Sequence, residues 1–183
     1  ESFGTNRILI SAKGFQGPGT ASEGLTTKDV DTIKKVSGLK YVVPALFRQA
    51  EIIHNKETAF TLVGALPAED YEQVFKDSGI KVQEGRIINS NDKFDAVIGA
   101  RVAREIFSKE LRLGNKIEIG KKELKIVGIW QETGSADTDN RISIPLEAAR
   151  EIFNEPDQVN SIIAQAKSDA DIPSLQKKIE KEL

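Results

Sequence analysis

Residues 41–65, YVVPALFRQAEIIHNKETAFTLVGA, alternate apolar and polar side chains on both sides of His54-Asn55-Lys56. A period of two puts successive side chains on opposite faces of an extended chain, which marks a half-buried strand. Two such runs meeting at one polar turn predict an antiparallel hairpin, and with it a protein built round a sheet. Upstream, NRILISA at residues 6–12 reads as a strand and LTTKDVDTIKKVSG as a helix. Thr26 or Thr27 can cap that helix, Val30, Ile33 and Val36 give it an apolar stripe, and Ser37-Gly38 ends it. The order so far is β-α-β-β.

Residues 66–95 change character. PAEDYEQVFKDSG is helical, whereas IKVQEGRIINSND is short, polar and turn-rich, so this segment is expected to form a small inserted lobe. AVIGARVAREIFSKELRLG then gives a strand end running into a helix, with Val102, Ala103, Ile106 and Phe107 on one face. Arg101 with Glu105, and Glu105 with Lys109, stand i,i+4 on its wet side. A second hairpin is predicted over residues 116–130 around Gly120-Lys121-Lys122, ETGSADTDN is a loop, RISIP a short strand, and a helix starts at Pro145 and ends near Phe153. The close is a strand from Ser161 to Ala166 and a helix striped by Ile172, Leu175 and Ile179. Asp169 and Asp171 near its start and Lys177, Lys178 and Lys181 towards its end suit the helix dipole. The fold class is α+β: a mixed, mostly antiparallel sheet with helices packed on it, plus the inserted lobe at 66–95.

The 183 residues are enough for one generous domain, and 39% apolar with 30% charged residues suits a globular chain. A net charge of -2, with lysine and arginine dispersed, argues against nucleic acid as a partner. There is no cysteine, which removes disulfides, thiolate catalysis and thiolate zinc sites. There is no methionine either, even at position 1, so the chain is expected to be a single domain, 1–183, excised from a larger protein. No apolar run approaches the roughly 18 residues of a membrane span.

The chemistry-bearing patterns are incomplete. KGFQGPGTASEG, residues 13–24, spaces Gly14 and Gly19 like a phosphate loop, but Thr20 stands where the lysine belongs. Its Gly17 and Gly19 form a close pair last rather than first, against a dinucleotide fingerprint. The one histidine, His54, falls at a predicted turn with no GxSxG elbow in the chain. S-x-x-K occurs at Ser37–Lys40, Ser78–Lys81, Ser90–Lys93 and Ser174–Lys177 without the accompanying S-D-N and K-T-G elements. DTDNR from Asp137 begins like a calcium loop, then supplies Arg141 where an oxygen ligand belongs; its aspartates read as loop solvation. No catalytic, cofactor or metal residue is therefore assigned.

Read in order, several stretches resemble the extracytoplasmic core domain of MacB-type ABC transporter permeases, the broader family that includes FtsX and LolC/LolE. RILI, a glycine-rich gap, LTTKDVDTIKKVSGLKYVVP and TLVGA look like its first half; AVIGARVAREIF, LRLGNKIEIGKKELKIVGIW and RISIPLEAAREIF look like its second. The resemblance covers residues 6 to 167, with 66–95 the least matched part. It implies a non-catalytic domain on the outer side of a cell membrane, set between the first and second transmembrane helices, with both ends on one side. It further implies mechanotransmission: a cytoplasmic ATPase subunit works through the membrane helices, and the domain passes the movement to a substrate or adaptor protein outside. A second permease copy would complete a dimer. The short middle lobe departs from better-known MacB proteins and leaves adaptor docking open. The expected contact surfaces are the loops at 14–24, with Phe15, Gln16 and Pro18, and 132–140, with Thr133, Ser135 and Asp137. The alternative is an extracytoplasmic ligand-binding module, which requires a concave pocket with a few convergent polar groups, and which Trp130 would help to line.

Overall fold

The computed structural model describes residues 6–11 and 24–183. Their elements run β1 (Arg7–Ser11), β2 (Leu25–Thr26), α1 (Thr27–Lys34), β3 (Leu39–His54) and β4 (Glu57–Leu66). After a 3-10 turn (Ala68–Asp70) come α2 (Tyr71–Ser78), β5 (Val82–Gly85), β6 (Asp95–Ile98), α3 (Ala100–Glu105), β7 (Lys116–Ile119) and β8 (Lys122–Trp130). The chain ends with α4 (Ala136–Asp139), β9 (Arg141–Pro145), α5 (Leu146–Phe153), β10 (Gln158–Val159), β11 (Ser161–Ala166) and α6 (Ile172–Glu182).

The hairpin expected at residues 41–65 forms as β3 and β4, with His54 opposite Glu57. Asn55 and Lys56 between them both take positive φ, 47° and 65°, the backbone that lets a two-residue turn follow the strand twist. β7 and β8 close in the same way at Gly120 and Lys121, with φ of 55° and 66°. The sheet is mixed and mostly antiparallel: among the described residues only β4 with β9 and β6 with β8 pair in parallel.

Six of the strands close on themselves. β3 pairs β4, β4 pairs β9, β9 pairs β6, β6 pairs β8, β8 pairs β7, and β7 returns to β3 through Ile52 opposite Ile119. The result is a small barrel whose interior holds Ile52, Val63, Ile98, Leu124, Ile126 and Ile142 at full burial. At about 1.5–3 kcal/mol for each such side chain, this cluster is the main source of hydrophobic stabilisation.

β3 is 16 residues long because it serves two sheets. Its first half, from Leu39 to Ala45, pairs with β11, which in turn pairs with β1; its second half, from Leu46, belongs to the barrel. On the β1–β11–β3 sheet, α1 and α6 bury Val30, Ile33, Leu175 and Ile179 against Ile8 and Ile162. α1 starts at Thr26, whose backbone N–H donates to the Asp29 carboxylate at 2.7 Å. A third cluster joins the two bodies: Tyr71, Val74 and Phe75 of α2 meet Val43 and Ala45 of β3, Ile163 of β11 and Trp130 of β8.

Two local expectations are corrected, at the end of α3 and in the 132–140 loop. α3 ends at Glu105, so Ile106 and Phe107 are not on a helix face; the chain turns there and sends Phe107 and Leu111 into the barrel core. Arg104 of α3 forms an ion pair with Glu132 at 3.1 Å. Part of the 132–140 loop is the short helix α4. In residues 66–95, the segment expected as a small inserted lobe, α2 lies on the sheet and β5 is added to the outer side of β8.

Candidate functional site

Where β3 passes from one body to the other, its backbone loses strand partners on one side. The buried side chain of Asn160 takes their place: its Oδ1 accepts the Phe47 N–H at 2.9 Å and its Nδ2 donates to the Phe47 carbonyl at 2.7 Å, while its own N–H donates to Ala45. One amide thus mimics a strand residue at the crossover. Close by, the buried Tyr71 hydroxyl accepts the Leu66 N–H at 3.2 Å and donates to the Ile144 carbonyl, tying α2 to the ends of β4 and β9. Burial holds that phenol well above its ordinary pKa, so it remains a neutral donor.

Beside this crossover lies a cavity of about 250 Å³. Phe47, Leu66, Tyr71, Val74, Phe75 and Ile163 give it apolar walls, and Arg7, Arg141 and Asp137 are its charged lining. Leu9, 60% exposed, and the exposed Asp137 belong to the lining too, so the cavity is reached from outside. Arg7 Nη2 donates to the Val74 carbonyl at 2.9 Å. The Arg141 guanidinium stands 5.1 Å from the centre of the Phe47 ring, a cation–π contact that β4 accommodates with a glycine: a Cβ at Gly64 would come within 3.1 Å of both Arg141 Cδ and Phe47. The Nε atoms of Arg7 and of Arg141 are buried without a hydrogen-bond partner among the described residues. Burial pulls the Arg141 pKa below the usual guanidinium value, partly offset by the charge of Asp137.

The 132–140 loop forms one rim of this cavity. Of its expected contact residues, Thr133 is exposed, while Ser135 and Asp137 line the cavity. Asp139, read as loop solvation, is instead fully buried: one carboxylate oxygen accepts the Thr133 N–H and hydroxyl, and the other accepts the Gly134 N–H, each at 2.9 Å. The loop is therefore pinned, and it presses on Gly99, where a Cβ would stand 2.3 Å from the Asp139 carbonyl oxygen. Phe15, Gln16 and Pro18 lie outside the described residues.

The other singled-out residues take structural places. His54 ends β3, and its Nδ1–H donates to the Lys116 carbonyl at 2.8 Å. Lys40 pairs with Asp77 at 3.3 Å and Lys93 with Glu151 at 2.9 Å, so these two lysines of the S-x-x-K pairs are occupied. Trp130 does not line the cavity; it is buried behind it, stacked on Phe75 with ring centres 4.4 Å apart. The cavity, the Asn160 clamp and the shared placement of Arg7 and Arg141 in the cavity lining depend on contacts between distant segments, and the sequence reading missed all three.

The whole chain has relatives. Residues 1–182 match the family described as MacB-like periplasmic core domain. An uncharacterized ABC transporter permease of Methanocaldococcus jannaschii is 32% identical over 183 residues, which is 99% of this chain and 45% of the relative. The macrolide export ATP-binding/permease protein MacB of Bdellovibrio bacteriovorus is 31% identical over 189 residues, 96% of this chain and 28% of the relative. The chain thus spans less than half the length of either. In structure it is similar to the periplasmic region of MacB from Actinobacillus actinomycetemcomitans, with a TM-score of 0.75 at 17% identity over 97% of this chain and 82% of that one. It is similar also to the extracellular domain of the ABC-type transporter YknZ from Gram-positive bacteria, with a TM-score of 0.74 at 20% identity over 96% and 91%. No helix among the described residues is long and apolar enough to cross a membrane. The closed barrel, the terminal lobe and the family match over nearly its full length agree: this chain belongs to the MacB-like periplasmic core domains and is the extracytoplasmic domain of a MacB-like ABC transporter permease.

Proposed function

We propose that this domain is a mechanical coupler, carrying ATP-driven movement of membrane helices to a substrate or partner protein outside the membrane. The observation that carries the reading is β3. The first described strand and the final helix share one hydrophobic cluster, and a single unbroken strand leads from that cluster into the barrel. A push on β1 or α6 is passed along hydrogen-bonded backbone, with Asn160 bracing the crossover. The work would come from a cytoplasmic ATPase subunit, a second permease copy would form the other half of the transporter, and the pinned loop with Thr133, Ser135 and Asp137 would face an adaptor or substrate. The domain itself needs no catalytic group in this role.

These 183 residues hold no cysteine, so only cysteines elsewhere in the permease need replacing before labelling. In the full-length permease reconstituted with its ATPase, spin labels are placed by Lys178→Cys on α6 and Lys121→Cys in the β7–β8 turn. Distances are then read with and without trapped nucleotide. The coupler reading expects the distance within one domain to stay fixed while the distance between the two copies changes. Unchanged distances in both, with nucleotide bound, overturn it.

A further inference from the structure

Arg7 and Arg141 line one cavity, and the Nε of each is buried without a hydrogen-bond partner among the described residues, which calls for an explanation because an unpaired buried polar group costs about 1–3 kcal/mol and more when charged. The lining holds two arginines and one carboxylate, Arg7, Arg141 and Asp137, so it carries a net positive charge, with Asp77 reaching Arg7 only from outside the lining through the Tyr41 hydroxyl. No ion pair within 4.0 Å joins Asp137 to either arginine. The remaining walls are mostly apolar and aromatic, with hydroxyls from Ser78, Ser135, Thr138 and Ser143 among them, so a ligand that completes the charge would bring an apolar body with it. A doubly charged phosphate would overshoot the balance and would set a second negative charge against Phe47, Tyr71 and Phe75. A single carboxylate matches the flat fork of a guanidinium without that penalty.

We propose that the cavity binds a small amphipathic monocarboxylic acid, its carboxylate between Arg7 and Arg141 and its apolar body against Phe47, Tyr71 and Phe75. The site does not depend on the coupler reading, since it requires only the cavity and its lining. The Phe47 ring beneath Arg141 and the room left by Gly64 hold the guanidinium in place before a ligand arrives, which reduces the ordering needed on binding. Asp137 competes with the ligand for the same cations.

The protein supplies its own reporter, because Trp130 is its one tryptophan and stacks on Phe75 of the cavity wall. Titrating the 183-residue chain with 4-phenylbutyrate should change Trp130 fluorescence saturably, with one site by calorimetry. Affinity should drop about tenfold or more for the neutral 4-phenylbutanamide and for Arg141→Leu, drop less for Arg7→Gln, and rise for Asp137→Asn. Circular dichroism and thermal unfolding confirm that each variant is folded; if Arg141→Leu is not, the amide ligand and the Asp137→Asn variant decide. The proposal is overturned if no saturation occurs below about 10 mM, if acid and amide bind alike, or if Asp137→Asn and folded Arg141→Leu leave the affinity unchanged.

Discussion

The barrel and the terminal lobe are both sheets with helices against them, yet they meet their backbone requirements differently. In the barrel, β7 returns the sheet to β3, so the six strands have no free edge and the interior is a continuous block of isoleucine, leucine and valine. In the terminal lobe β1 is an edge strand, and the cluster beneath it depends on two short helices whose outer faces are polar. Closure makes the first region self-sufficient, whereas the second is completed by elements from both ends of the chain. Rigidity should therefore fall from the barrel to β1.

The strongest way to break this contrast is to open a hole in each core. Ile126→Ala should cost about 3–4 kcal/mol and unfold the whole chain earlier, because that side chain is fully buried in the barrel. Ile179→Ala, at the periphery on α6, should cost about 2 kcal/mol. Hydrogen exchange should then show lost protection in β1, β11 and α6 while barrel amides stay slow. Equal loss of protection in the barrel would mean that the two regions open as one unit.

Cutting the brace between them should have an intermediate effect. Asn160→Ala leaves the Phe47 N–H and carbonyl without their partner, a loss of about 1–3 kcal/mol by denaturant titration. The variant should also separate the unfolding of the two regions into distinct steps. Smaller still, Asp29→Ala removes the acceptor at the start of α1 and should cost about 0.5–1 kcal/mol, confined to the terminal lobe.

Acid provides the mildest probe. Lys93 and then Lys122 hold the Glu151 carboxyl below its ordinary pKa, so its contribution to stability is present above the usual carboxylate range and is lost as pH falls through the lowered value. Replacing it by Glu151→Gln removes that contribution, so a small loss of stability should appear at neutral pH, vanish at low pH, and leave a flatter acid limb in between.

Legibility in the sequence followed the range of the contacts. The β3–β4 and β7–β8 hairpins, the strand from Ser161 to Ala166 and the final helix could be read because strand, turn and strand, or one helix face, lie within a short window. β5 could not: Val82–Gly85 is an edge strand of mostly polar, exposed residues, with no alternation to betray it. β2 and β10 are two residues each, below what a period of two can mark. The buried role of Asp139 was hidden because an aspartate in a glycine-bearing loop looks the same whether it faces water or three backbone and side-chain donors. Arg7 and Arg141 are brought together only as lining of one cavity, on strands far apart in sequence.

The pairing of β1 with β11 also sets an order in time. Ser161 reaches the carbonyl of Ile10 across 151 residues of chain, so on a ribosome β1 must wait for β11 before it has this neighbour. The barrel, made of segments in between, can assemble first and offer the free half of β3 as a template on which β11, and then β1, are laid. Until that happens β1 is an unpaired apolar strand at the mercy of other nascent chains. The laying of β11 and then β1 on β3 is thus also the step that seals this sheet against misassociation.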